Sequence, residues 1–175
     1  PAGFRAAGIV AGLKKSGKPE MAMFYSDQPA TLAGTFTTNQ VRAATVRLDA
    51  ARVAKVGVAR GIVVNSGQAN ACTGKQGLRD AEAMAAHAAR QFRIPAKHFL
   101  VCSTGRIGVP LRMDLIVPGI EKLAQSLAPT GGEAAAAGIM TTDTRPKRFT
   151  VPFKVNGRAC RLTGIAKGAG MIQPC

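Results

Sequence analysis

The sequence predicts an α+β fold, with helices in the middle of the chain and antiparallel strand pairs at both ends. Near the N-terminus, residues 8–13 and 21–25 are rich in apolar residues and are separated by a turn segment of Ser, Gly and Pro. Near the C-terminus, an Asn-Gly pair at 156–157 separates residues 148–155 from residues 158–165. Asn-Gly between two strand-like segments is the strongest short-range signal for a hairpin.

The first part of the middle section is predicted to hold two strands and a helix. Residues 31–38 are a candidate third strand. Residues 48–58 predict a short helix, with Asp49 in its first turn and small apolar residues on one face. Residues 61–64 predict a buried strand.

The second part of the middle section is mainly helical. Residues 77–92 place apolar side chains at steps of three and four, with acidic residues early and arginines late. Residues 99–102 predict a strand, Pro118 suits the first turn of another helix, and residues 133–140 predict a short Ala-rich helix. Because neither a repeat nor a linker interrupts these elements, we expect residues 1–175 to form a single domain.

The composition is that of a globular protein with an aliphatic core. Hydrophobic residues make up 46% of the 175 residues, aromatic residues only 5%, and Trp is absent. No apolar stretch approaches the roughly 18 residues that cross a membrane. The N-terminus lacks the charged-then-apolar order of a signal peptide. We therefore expect a cytoplasmic protein without a membrane segment.

The net charge of +15 raises the possibility of a basic nucleic-acid-binding module. Two features weaken this interpretation, because the basic residues are spread along the chain and aromatic stacking residues are scarce. The charge would also suit an anionic substrate or an acidic partner chain.

The cysteines do not form a metal-binding pattern. The four cysteines contain no C-x-x-C pair; they are Cys72, Cys102, Cys160 and Cys175. We therefore expect no metal site and reduced thiols.

The segment 62–75, IVVNSGQANACTGK, ends in Gly-Lys like a phosphate-binding loop. That motif needs a glycine five residues before the Gly-Lys pair and a hydroxyl residue after it. Ala69 and Gln76 occupy these two positions, so the segment does not fit the motif.

Three short segments of Ser, Thr, Asn, Asp and Gly follow predicted strands or helices, at 65–67, 103–105 and 141–144. Turns of this kind present hydroxyl and backbone N–H groups, which an oxyanion hole requires. The same residue types form ordinary turns and helix caps, and the residues alone favour that explanation. The sequence shows no Ser/His/Asp pattern that would predict a nucleophile with its base.

Five segments in series point to one family. They are AGTFTTNQVRAA (33–44), VNSGQANACTG (64–74), CSTGRIGVPLRMD (102–114), MTTDT (140–144) and GIAKGAGMIQP (164–174). Together they resemble the ornithine acetyltransferase family, the bifunctional glutamate N-acetyltransferases of arginine biosynthesis. The resemblance covers essentially the whole chain in the expected order.

The resemblance implies a precursor that cuts itself into an α chain and a β chain, with a threonine nucleophile at the new N-terminus of the β chain. This chain resembles the α part. In the family, one variable residue and Met-Ala separate the Met-Ile-x-Pro segment from that threonine, so we expect the cut about two residues beyond Cys175. The implied fold is an α/β sandwich completed by the separate β chain, usually as an α2β2 heterotetramer.

The resemblance also implies roles for individual residues. Thr104, through its hydroxyl, and Gly105, through its backbone N–H, form the oxyanion hole. Lys167 binds substrate, as does one of Thr141 and Thr142. No metal or bound cofactor is implied, although acetyl-CoA is a possible substrate.

The expected reaction transfers an acetyl group from N-acetylornithine to glutamate through an acetyl-threonine. A related self-cleaving amidohydrolase or aminopeptidase, with water as the acceptor, is one alternative. The basic nucleic-acid-binding module is the other.

Overall fold

The central sheet of the computed structural model, which describes residues 1–171, has four strands. In chain order these are β1 (Phe4–Ile9), β2 (Met21–Thr31), β3 (Val58–Gln68) and β4 (Phe99–Arg106). They lie side by side in the same order. The first three strands are antiparallel, and β4 runs parallel to β3. A parallel pair needs a crossover connection, which here contains a long helix.

Four helices and a hairpin complete the described structure. The helices are α1 (Ala44–Val56), α2 (Gly74–Arg90), α3 (Met113–Gln125) and α4 (Gly132–Gly138), with a short 3₁₀ turn at Ala96–His98. The hairpin consists of β5 (Lys147–Val155) and β6 (Arg158–Ala166), which pair only with each other. The predicted α+β class is confirmed.

Apolar side chains on the two faces of the sheet form two core clusters. The larger cluster joins the sheet to α2 and α3 and includes Met23, Val63, Met84, Phe99, Ile116 and Ile120. The smaller cluster joins the other face to α4 and includes Ala22, Val64, Ala135 and Ile139. Successive residues of a strand point to opposite faces, so both faces are buried against helices. The sheet is therefore the middle layer of a sandwich.

Helix α4 lies directly against β1 because a glycine stands at the contact. A Cβ atom at Gly8 would lie 1.9 Å from the carbonyl oxygen of Ala134. Such a distance is far shorter than van der Waals contact, so no larger residue fits without moving the helix. This contact fixes the position of the segment that follows α4.

Side chains from α1 occupy the outer edge of β4. The Asp49 carboxylate accepts hydrogen bonds from the Val101 N–H at 3.1 and 3.2 Å, and the Arg52 guanidinium donates to the Phe99 carbonyl. Asp49 is buried, and this burial raises its pKa to about 7. An edge strand whose polar groups are already bonded cannot pair with another strand at those positions.

The predicted strand at 31–38 is wrong. Residue Thr31 ends β2, and residues 32–43 form neither helix nor strand. Thr37 and Asn39 instead accept hydrogen bonds from nearby backbone N–H groups, at Asn39 and Val41. Short polar side chains that bond the local backbone compete with strand pairing. Among residues 1–171, no strand pairs with this segment to offset that competition.

Most other elements are confirmed with shifted ends. The first strand begins at Phe4, not at residue 8, and α1 begins at Ala44, so Asp49 lies beyond its first turn. Helix α3 begins at Met113, which places Pro118 at its sixth residue and not in its first turn. The hairpin matches its prediction within one residue at each end. Asn156 and Gly157 have φ values of 49° and 79°, as its two-residue turn requires.

Within residues 1–171 no helix is both long and apolar enough to cross a membrane. The cytoplasmic location stays a prediction.

Candidate active site

The parallel strands β3 and β4 bring two of the predicted turn segments together. Residues 65–67 and 103–105 were expected as turns, but both lie inside strands, and Ser66 is paired with Thr104 and Gly67 with Gly105. The turn prediction is therefore wrong for both. Each segment supplies the partner that the other needs, so backbone pairing extends through residues that otherwise favour turns.

Gly105 stands where only glycine fits. Its φ is 131°, and a Cβ atom there would lie 2.4 Å from the carbonyl carbon of Gly67. Both the left-handed conformation and the close approach of two backbones exclude a side chain. The result is a bare backbone surface at the carboxyl ends of the two strands.

Three polar side chains of segment 65–74, those of Asn65, Ser66 and Asn70, form hydrogen bonds within the protein. Ser103 Oγ donates to Asn65 Oδ1 at 2.6 Å, and Ser66 Oγ donates to the Gly138 carbonyl at 2.9 Å. Asn70 Nδ2 donates to the Gly77 carbonyl at 2.8 Å, which ties the segment to α2. These bonds position the strand ends and the start of the helix.

Lys167 joins two of the predicted threonines. Its Nζ donates to Thr104 Oγ1 at 2.9 Å and to Thr141 Oγ1 at 2.8 Å. Because an ammonium group can only donate, each hydroxyl accepts from it, and each O–H remains able to donate to a ligand. Thr142 lines the same cavity. The sequence left open which of Thr141 and Thr142 contacts substrate. Of these two residues, Thr141 is the one bonded to Lys167.

Asp143 connects the threonine segment to the segment around Lys167. Its side chain is 1% exposed and forms an ion pair with Lys147. It also accepts from the Gly168 N–H at 2.8 Å and from the Thr141 N–H at 3.2 Å. The Lys147 bond, together with these N–H groups, holds the pKa of Asp143 well below its usual range. The carboxylate therefore stays ionised and locks the two segments together.

Sequence reasoning did not assign a role to Asp143. The only signal was its place inside the motif MTTDT, between two threonines.

A cavity of about 620 Å³ opens above these residues. Backbone at Gly67 and Gly105 forms part of its wall, and the charged residues of the described chain that line it are all basic. These are Lys14, Arg106 and Lys167. A cavity with several cations and threonine hydroxyls is suited to a small molecule that carries a carboxylate.

The two histidines lie away from this cavity. His87 contacts Arg90 on the surface of α2, and His98 contacts the Val58 carbonyl. Among residues 1–171, no three His, Cys, Asp or Glu side chains form a group that could hold a metal ion. The cavity walls thus present hydrogen-bond donors, and the described residues around it include no histidine to serve as a base.

A model of one protein family, ArgJ, matches residues 5–175. The chain belongs to the ArgJ family. The predicted family is thereby confirmed. Among curated relatives, the arginine biosynthesis bifunctional protein ArgJ of Caldanaerobacter subterraneus subsp. tengcongensis is 52% identical over 174 residues. The protein of the same name from a Synechocystis species is 51% identical over 174 residues.

This chain is shorter than those ArgJ relatives. The matched region covers 99% of this chain but only 43% and 42% of the two relatives. The chain therefore spans less than half of the length of the curated proteins it matches.

Two solved ArgJ structures have the same fold. The arginine biosynthesis bifunctional protein ArgJ of Bacillus halodurans superposes with a TM-score of 0.92 at 40% identity, covering 99% of this chain and 91% of that one. Ornithine acetyltransferase from Mycobacterium tuberculosis, complexed with ornithine, gives a TM-score of 0.91 at 38% identity, covering 100% of this chain and 93% of that one. At these identities the similarity extends to the fold and to the family.

Proposed function

We propose that this chain is the α chain of a glutamate N-acetyltransferase, which transfers acetyl from N-acetylornithine to glutamate. The observation that carries the proposal is the cluster of Lys167, Thr104 and Thr141 in a basic cavity, in a chain of the ArgJ family. The printed names of the relatives, which refer to arginine biosynthesis and to ornithine acetyltransferase, agree with it.

The proposed reaction has two half-reactions. The hydroxyl of the β-chain threonine forms a bond to the acetyl carbonyl carbon, its proton passes to the threonine's own α-amine, and the bond to the ornithine nitrogen breaks as that nitrogen takes up the proton. The glutamate amine then attacks the acetyl-threonine, which releases the threonine hydroxyl and N-acetylglutamate. Such a nucleophile carries its own base, which fits a cavity without a histidine among its described walls.

The α chain would stabilise the negative charge that develops on the carbonyl oxygen. The Thr104 O–H and the Gly105 N–H are the proposed donors. Because Lys167 donates to Thr104 Oγ1, it polarises that hydroxyl and makes its O–H a stronger donor. Removing one such donor typically costs about 3 kcal/mol of transition-state stabilisation.

Lys167, Thr141 and Thr142 are the proposed substrate-binding residues. Lys167 offers an ammonium group to a carboxylate, and Thr141 and Thr142 offer hydroxyl groups at the same cavity. Acetyl-CoA-dependent synthesis of N-acetylglutamate is a possible second reaction. The expectation that no bound cofactor or metal is needed stays a prediction.

A β chain from the same precursor is the proposed partner, in an α2β2 assembly. This chain covers 91% of the length of the Bacillus halodurans chain but less than half of the length of the curated relatives. The solved chain is thus about half as long as the curated proteins, which supports a family protein divided into two chains. The expected cut beyond Cys175 lies outside the described residues.

Exposed apolar residues on the hairpin also support a partner chain. Phe149 is 75% exposed and Leu162 is 65% exposed, and Val151, which pairs with Leu162, is also exposed. Every residue of β5 is exposed. An apolar strand face of this kind is typical of a protein–protein contact.

Intact-mass analysis of the full-length gene product, before and after addition of N-acetylornithine, tests the proposal. We expect two chains, with an acetyl adduct on the second chain that glutamate removes. If water removes the adduct as fast as glutamate does, the enzyme is a hydrolase. A single uncut chain without an adduct would contradict the proposal and reopen the nucleic-acid-binding alternative.

A further inference from the structure

We propose that Lys14 is a second cationic contact for the substrate α-carboxylate, so that Lys14 and Lys167 together form one carboxylate subsite. The inference rests on the proposed function and adds a residue to its site.

Lys14 lies at the cavity although it is far from the other site residues in sequence. It follows β1, and its Nζ donates to the Met140 carbonyl at 2.7 Å. That carbonyl directly precedes Thr141, the residue that accepts from Lys167. Lys14 and Lys167 both line the same cavity. The two ammonium groups therefore approach the Met140-Thr141 segment from different parts of the chain.

A buried carboxylate shapes the loop that carries Lys14. Glu20 is fully buried, and its Oε1 accepts from the Ala11 N–H at 3.0 Å and from the Leu13 N–H at 2.7 Å. The Glu20 backbone is itself fixed, because its carbonyl accepts from the Ser66 N–H at 2.7 Å. The residue immediately before Lys14 is thus held in place, and the lysine projects from a positioned backbone.

Electrostatics at this point favour an anion. Burial lowers the pKa of Lys14, and the nearby ammonium groups of Lys167 and Lys18 lower it further, while Glu20 opposes them. Two half-buried ammonium groups beside one cavity repel each other, and an anion bound between them would offset this repulsion. The described residues that line the cavity include no carboxylate that would fill this role.

The unused N–H donors of Lys14 and Lys167 also favour an anion in the cavity. An ammonium group has three N–H donors. Among the described residues Lys14 uses one of them, on Met140, and Lys167 uses two, on the threonines. The remaining donors match a carboxylate, which accepts several hydrogen bonds and binds most strongly to charged donors.

The chemistry of the reaction explains why this carboxylate would be the α-carboxylate. N-acetylornithine and glutamate share the arrangement of an α-nitrogen, Cα and α-carboxylate, and differ beyond it. Lys167 is bonded to Thr104, the proposed oxyanion donor, so a carboxylate beside Lys167 would lie close to the reacting carbonyl. One subsite would therefore orient both substrates in the two half-reactions.

The test compares three variants of the full-length processed enzyme with the wild type. Lys14→Met removes the charge, and Lys14→Gln removes the charge but keeps an N–H that can donate toward Met140. Lys15→Met is the matched control, because Lys15 is the exposed neighbour and the change in net charge is the same. The substrates are N-acetylornithine, its α-carboxamide and glutamate.

We expect both Lys14 variants to raise the KM for N-acetylornithine and for glutamate by about tenfold or more, the usual range for a lost charge-assisted hydrogen bond. The change in kcat should be much smaller. The wild type should prefer the carboxylate to the carboxamide, and both Lys14 variants should lose most of that preference. Lys15→Met should behave like the wild type.

Three outcomes would overturn the inference. If Lys14→Gln keeps the wild-type KM and the wild-type preference for the carboxylate, Lys14 acts only through its bond to Met140. If the wild type processes itself but transfers no acetyl group, the proposed function fails and this inference fails with it. Normal transfer with an unchanged carboxylate preference in the Lys14 variants would overturn the inference alone.

Discussion

Single residues at the carboxyl ends of β3 and β4 determine the chemistry that the cavity can support. Lys167 donates to two threonine hydroxyls, and Asp143 fixes the backbone on both sides of that contact. Gly105 has no side chain, which allows its backbone to lie directly against the backbone of Gly67. Together these contacts leave the Thr104 and Thr141 hydroxyls, the Lys167 ammonium group and the Gly105 backbone at the cavity wall.

Replacing Thr104 by Ala should lower kcat on the order of 100-fold, because one donor to the oxyanion is lost. KM and the urea midpoint should change little, since the residue lies near a strand end and the lost contact is a side-chain hydrogen bond. The measurement is the initial rate of acetyl transfer by the full-length enzyme. Thr104→Ser is the control, which keeps the hydroxyl. A Thr104→Ala enzyme with a rate near wild type would disprove the oxyanion assignment.

Replacing Gly105 by Ala should destabilise the protein by about 3 kcal/mol or more. Left-handed strain costs about 1–3 kcal/mol by itself, and the new Cβ would also collide with the Gly67 backbone. Urea denaturation of the full-length protein measures the change. Gly164→Ala is the control, because nothing lies within 4 Å of a Cβ at Gly164. Equal stability of the two variants would argue against the observed backbone contact.

At the scale of secondary-structure elements, α1 closes the outer edge of the sheet through Asp49 and Arg52. Burial raises the folded-state pKa of Asp49 to about 7 from its ordinary 3.8. The folded protein therefore binds this proton more tightly than the unfolded chain does. Between about pH 4 and pH 7, the contribution of Asp49 to the free energy of unfolding falls as the pH rises.

Replacing Asp49 by Asn should remove this pH dependence. The free energy of unfolding of the wild type minus that of Asp49→Asn should be larger at pH 5 than at pH 8, as measured by urea denaturation. The control is Asp27→Asn, because Asp27 pairs with Arg5 at the surface. A difference between wild type and Asp49→Asn that does not vary with pH would contradict the prediction.

At the scale of the whole molecule, the hairpin β5–β6 presents apolar side chains that the described chain leaves uncovered. The hairpin ends at Ala166, directly before Lys167, so a partner that covers it would also lie near the cavity. This arrangement supports the proposal that the β chain contributes to the same site.

Replacing Phe149 by Ser should weaken association of the two chains by about tenfold or more, because burying a phenylalanine contributes about 1.5–3 kcal/mol. Light scattering of the processed protein over a dilution series measures the change. Val41→Ser is the control, since Val41 is 71% exposed and lies outside the hairpin. If Phe149→Ser and Val41→Ser dissociate to the same extent, the partner chain does not bind at the hairpin.

The sequence by itself determined the features that depend on local pattern. Apolar periodicity located α2, the Asn-Gly pair located the hairpin turn, and the serial motifs indicated the family, which the ArgJ family match confirms. These signals are contained within a few consecutive residues, so they need no knowledge of the rest of the chain.

Only the tertiary structure decided how distant segments combine. Pairing between β3 and β4 turned two expected turns into strand ends, and residues 32–43 stayed irregular because no strand of the described chain pairs with them. Thr141 could be distinguished from Thr142 only through its bond to Lys167. Lys14 reaches the cavity wall in the same way, beside the Met140 carbonyl. Such contacts arise when chain folding brings together residues that no local pattern relates.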